Sequence, residues 1–149
     1  MGIWTTRTCV DSAPERVLSV LTDPLACERW SPVPFEVRGL VGDRLTAGSR
    51  AQLAGRIAGR EVAFEVDFTE AGDRALELRA RGPFEIAARY EAVPGCKQTE
   101  LHASVSINGG TGLLGRMAAK AAEAMLAAGA LETVVYRVAA AAECPPRRL

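Results

Sequence analysis

The sequence predicts an α+β domain: a strand, two short helices, a six-strand antiparallel meander and a long C-terminal helix. Three observations carry that reading. From Phe35 to Ile107, apolar residues recur at every second position between turn residues. From Gly112 to about Glu143 they recur with helical period instead. Between Ser12 and Pro32, helix-start signals appear twice in succession.

Taken in order, Trp4 to Val10 is threonine-rich and loosely alternating, as a strand should be. Ser12 followed by Glu15 reads as a capping box, with Pro14 in the first helical turn. Val17, Leu18 and Leu21 then run at helical spacing to about Thr22. Asp23-Pro24 starts a second short helix that closes at Trp30-Ser31-Pro32. The meander follows. Ala51, Leu53 and Ile57 share one face, as do Val62, Phe64, Val66 and Phe68. So do Leu76, Leu78 and Ala80, then Phe84, Ile86, Ala88 and Tyr90, and finally Leu101, Ala103, Val105 and Ile107. Gly42-Asp43, Ala58-Gly59, Gly72-Asp73 and Pro94-Gly95 supply the turns. One apolar and one charged face mean a sheet of about seven strands in all, wetted on one side. The final segment reads as a single helix of about 30 residues. Its apolar stripe is Leu114, Met117, Ala121, Met125, Ala128, Leu131, Val135 and Val138. Arg116, Lys120, Glu123 and Arg137 lie opposite and argue against a membrane span.

A chain of 149 residues is expected to be one domain, 1–149, with 144–149 a frayed tail. Eighteen basic side chains balance 18 acidic ones, so no charge excess points to nucleic acid or to a basic partner. The N-terminus lacks a signal peptide's basic and apolar regions. It matches the short myristoylation pattern through Thr6, but the same residues read as a strand. Cys9, Cys27, Cys96 and Cys144 form no C-x-x-C pair, and His102 is the sole histidine. The expectation is therefore idle thiols in a reducing cytoplasm, with no metal and no cofactor.

Gly110-Thr111-Gly112-Leu113-Leu114-Gly115 is a complete G-x-G-x-x-G. A dinucleotide site needs a second strand after the helix, with an acidic residue at its end. No strand follows, and Glu132 lies within the helix. Asn108 to Gly112 therefore read as a flexible strand-to-helix joint with Thr111 as a candidate cap.

The order of elements, the run Ser-Ala-Pro-Glu-Arg-Val-Leu-Ser-Val-Leu-Thr-Asp-Pro (Ser12 to Pro24) and Trp30 together resemble the START/birch-pollen-allergen superfamily. More narrowly, the chain resembles the bacterial polyketide cyclase/dehydrase-like SRPBCC proteins. The resemblance implies a helix-grip fold, in which a curved antiparallel sheet wraps the C-terminal helix around an internal cavity for a hydrophobic ligand. Lipid carriers, hormone receptors, aromatase/cyclases and ring-hydroxylating oxygenase subunits share that fold, so fold does not choose the function.

The expected ligand-binding set is Trp30, Phe64, Val66, Leu76, Leu78, Ile86, Tyr90, Met117, Ala121 and Met125. Trp30 enters from the resemblance, which puts it near the pocket mouth. The others enter from their phase on the inward face. For catalysis the candidate is Tyr90, a buried phenol able to donate to a ligand carbonyl. Aromatase/cyclases of this fold commonly carry Arg, Ser, Tyr and Trp in the pocket. Here Tyr90, Trp30, Thr6 and Thr8 are of that kind. Arg60 and Arg74 sit beside turns, in solvated or portal positions, and His102 falls on the polar face. No acid/base couple is evident. The expected function is binding of a lipid- or polyketide-like small molecule, with a polyketide aromatase/cyclase as the alternative. A vestigial cavity on a protein that oligomerises, for instance as a homodimer, is the third reading.

Overall fold

A computed structural model describes residues 2–23, 26, 35–39, 45–57, 59–72 and 74–143. The strands are β1 (Gly2–Val10), β2 (Phe35–Arg38), β3 (Arg50–Ile57), β4 (Arg60–Ala71), β5 (Ala75–Arg81), β6 (Phe84–Pro94) and β7 (Thr99–Gly110). The described helices are α1 (Pro14–Leu21), α2 (Gly112–Ala127) and α3 (Ala130–Glu143). The second short helix expected after Asp23 lies, apart from Ala26, outside the described residues, as do Trp30, Cys27, Cys144 and the tail.

All strand pairings are antiparallel, and the seven strands lie in the order β1-β7-β6-β5-β4-β3-β2. The alternation sorts as expected: Leu101, Ala103, Val105 and Ile107 are buried while His102, Ser104 and Ser106 between them are more open. Irregularities at Phe68/Glu70 and Phe84/Glu85 interrupt the register, and such bulges bend a strand. α2 crosses β7, and α3 packs on β1 and on α1. This is the helix-grip arrangement.

Several local expectations are corrected. The C-terminal helix covers the expected range but bends by 60° between α2 and α3. Gly129 sits at the break with φ +102°, a conformation costly for any residue with a Cβ. The Ser12–Glu15 capping box does not form. Ala13 is the cap residue, and the Ser12 carbonyl instead accepts a 2.6 Å bond from Thr99 Oγ1. Thr111 occupies the cap position of α2 without a side-chain bond, while its backbone N–H donates to Pro83 O at 3.1 Å.

The stripe is corrected too. Leu131, Val135 and Val138 are buried, but Leu114 and Met117 are exposed. α2 buries Gly115 and Ala119 instead, the face whose small residues admit close approach. A Cβ on Gly115 would lie 2.5 Å from Pro83 O, and one on Gly110 would strike the backbone of Gly115 and Arg116. The glycine motif is thus a tight backbone crossing and not a loose joint. In an open helix Gly→Ala would be favourable. Here Gly115→Ala should destabilise by about 1–3 kcal/mol through overpacking. The control Gly109→Ala, which meets nothing within 4 Å, should be close to neutral in urea denaturation.

The cysteine expectation is also overturned, because Cys9 and Cys96 form a disulfide. Spacing along the chain hides it, since 87 residues separate the two. Pairing of Cys9 with Glu100 on β7 brings β1 beside the β6–β7 turn that carries Cys96. The thiol-based argument for a reducing cytoplasm therefore no longer holds. No single described helix is long and apolar enough to cross a membrane. The pair α2 and α3 is apolar enough when taken together, but α3 buries six of its residues in the core. Thiol titration of the unfolded, unreduced chain should find no more than two of the four cysteines free. Reduction should lower stability by about 2–4 kcal/mol, read as a fall in thermal midpoint.

Candidate functional site

The concave face of the sheet and the helices above it line a half-open cavity of about 230 Å³. Each strand from β2 to β7 contributes by its inward phase. Leu78, Ala88 and Val105 form one row across β5, β6 and β7, and Ala80, Ile86 and Ile107 form the next. Leu53 and Phe64 pair across β3 and β4. Phe64 and Phe84 meet edge to face, with ring centroids 5.1 Å apart at 76°. Ala122, Met125 and Leu126 of α2 and Leu131 and Val134 of α3 close the top. Small residues facing these large ones, namely Gly55, Ala80, Ala88, Ala122 and Ala130, leave the space unfilled.

The wall is almost pure hydrocarbon. Among the described lining residues, only Tyr90 and Arg56 carry polar side-chain atoms. Tyr90 is buried and already engaged within the protein. Arg56 is exposed and pairs with Glu61 at 3.7 Å, so it marks where the cavity reaches solvent, beside Phe35 and Ile57.

Of the residues expected at the site, Phe64, Leu78, Ile86, Tyr90 and Met125 line this space. Val66 and Leu76 are buried but do not line it. Val66 is flanked by Ala51 and Ala80, and Leu76 lies towards the end of the sheet that α1 covers. Ala121 is half-buried against the core outside the lining. Met117 points to solvent, because α2 turns its glycine and alanine face to the sheet. Thr6 and Thr8 are half-buried on β1 and do not line the cavity. Arg60 and Arg74 are exposed. His102 lies on the outer face, 2.8 Å from Glu100. Phe35, Leu53, Ile57, Leu126 and Val134 line the cavity without having been expected there. Leu53 and Ile57 did share the apolar phase of β3, a signal that could have found them.

The outer face of the sheet carries the charge. Arg89 bridges Glu77 at 2.9 Å, Glu91 at 3.1 Å and Glu70 at 3.2 Å. Hydrogen bonds from Thr69 and then Arg89 hold the Glu77 carboxyl below the ordinary carboxylate range.

A family model described as polyketide cyclase/dehydrase and lipid transport matches residues 2–143. The chain belongs to this family. Nothing among curated proteins matches. Among solved structures, the chain is similar to protein CV1439 from Chromobacterium violaceum, at 15% identity and TM-score 0.69, covering 97% of this chain and 100% of that one. It is similar to TTHA0849 from Thermus thermophilus, at 15% identity and TM-score 0.67, covering 95% and 97%. It also resembles Ara h 8.0201, at 7% identity and TM-score 0.61, covering 93% and 98%. These likenesses establish the fold. The family's description, joining polyketide and lipid chemistry, is one of hydrophobic ligands in general.

Glu77 generates a pH prediction. Its folded-state pKa is depressed, so its contribution to stability is present above the unfolded value, near 4.5, and is lost as pH falls through the folded value. Its side chain is 36% exposed, so the contribution is at most about 1 kcal/mol. Glu77→Gln should therefore be slightly less stable than the parent at neutral pH. The gap should narrow as the pH falls below 4.5 in urea titrations.

Proposed function

We propose that the chain binds one hydrophobic small molecule, lipid- or polyketide-like, in the cavity beneath α2. The observation that carries this is an unfilled hydrocarbon space with just two polar side chains among its described lining residues. At about 230 Å³ the cavity is slightly smaller than the roughly 300–1,000 Å³ of ordinary ligand pockets. It suits a compact ring system or part of an acyl chain better than a whole lipid. Phe64, Leu78, Ile86 and Met125 would supply the contact surface. Tyr90 would supply the polar contact, its hydroxyl being able both to donate one hydrogen bond and to accept one.

Binding is favoured over the cyclase alternative because acid/base catalysis needs placed proton carriers. No carboxylate or imidazole stands among the described lining residues. The test is Met125→Trp, which fills the space from α2. Saturable binding of an environment-sensitive hydrophobic dye should fall at least about tenfold, with the folded state kept. If the cavity were closed in solution, the same change would overpack a core, cost about 1–3 kcal/mol and leave no dye binding to lose. A parent protein that binds no dye and a strongly destabilised variant would together refute the reading. Turnover of a polyketide-like substrate, abolished by Tyr90→Phe, would put the cyclase in its place.

A further inference from the structure

The outward side of α2 is apolar where a surface helix should be polar. Leu113, Leu114 and Met117 are 75%, 57% and 51% exposed, and Ala124 continues the same face. The cause lies beneath: Gly115 and Ala119 take the buried face, so the large side chains are left outside. Arg116 and Lys120 flank the apolar face, both exposed. No acidic residue occurs between Leu101 and Ala122. An apolar stripe bordered by cations is the pattern of a helix that lies in a membrane interface.

We propose that this face of α2 docks on an anionic lipid surface, with Leu113, Leu114 and Met117 entering the acyl boundary and Arg116 and Lys120 meeting the headgroups. The charges select this occupant. A second copy packed antiparallel on this face across a twofold axis would set Arg116 and Lys120 beside their own equivalents. Glu123, the first acid further along the helix, is already engaged within the chain. An anionic bilayer instead offers negative charge along the whole flank. Through Ala122, Met125 and Leu126 the same helix forms one side of the cavity, so docking lays the cavity's cover on lipid. The docking does not depend on the cavity being occupied.

The test is co-sedimentation of the full chain with vesicles of phosphatidylcholine, alone or with about a third phosphatidylserine. The chain should bind the anionic vesicles, release as salt rises and leave the neutral ones unbound. Arg116→Gln with Lys120→Gln should weaken partitioning about 30-fold, the worth of two surface cations. Leu113→Ser with Met117→Ser should abolish it. These side chains are exposed, so circular dichroism should show both variants folded, and their dye binding should match the parent's. That dye readout separates failure here from failure of the cavity reading. Absence of binding to anionic vesicles, or variants that bind like the parent, would overturn the docking. So would a dimer in analytical ultracentrifugation that Leu113→Ser with Met117→Ser dissolves, because the face would then belong to a second copy.

Discussion

The backbone crossing at Gly110, Gly115 and Pro83 governs much of the architecture. A helix approaches a sheet this closely only where side chains are missing on both sides of the contact. Once α2 is seated there, its rotation is set: glycine and alanine face inward, leucine and methionine outward. The same seat fixes how the far half of α2 stands over β3 to β6, where Met125 and Leu126 span a gap that small residues leave open. Cavity and exposed apolar face thus have one origin. A helix that met the sheet through leucines would stand further off and present a polar exterior.

The sheet was legible because its period is two and its faces differ in chemistry. Every strand from β3 to β7 could be read from residues such as Phe64, Ile86 and Val105, and the antiparallel order follows from short turns. The bend at Gly129 was not legible. Alanines on both sides carry the helical pattern through it, and one glycine inside such a pattern is tolerated often enough to be overlooked. The Cys9–Cys96 bond was hidden for a different reason. It depends on the pairing of the first strand with the last, and no local signal encodes that pairing.

The cavity was half legible. Phase identifies which residues face inward but not which of them touch empty space. Val66 and Leu76 satisfy the phase and are buried, whereas Leu78, two residues along from Leu76 on β5, and its β6 partner Ala88 border the void. For Leu76 the difference lies in what stands above it: α1 covers that end of β5 and β6, and the bent pair of helices only partly covers the other. On α2 the phase itself misled, because hydrophobicity marks Leu114 and Met117 as inward while steric fit selects Gly115 and Ala119. Where a helix must approach backbone closely, size outranks hydrophobicity in choosing its buried side.

The disulfide divides the walls of the cavity in an unequal way. Closing Cys9 onto Cys96 makes a covalent ring that contains α1 and the strands β2 to β6, most of the sheet wall. Both cover helices, α2 and α3, lie outside that ring, and α2 is joined to α3 through Gly129. Cross-linking therefore restrains the unfolded chain over the basin, while the cover is held by non-covalent contacts at Gly110, Gly115 and Pro83. Ring and helix seat are thus two separate restraints on the two walls, one removed by reduction and the other by a Cβ placed at Gly115.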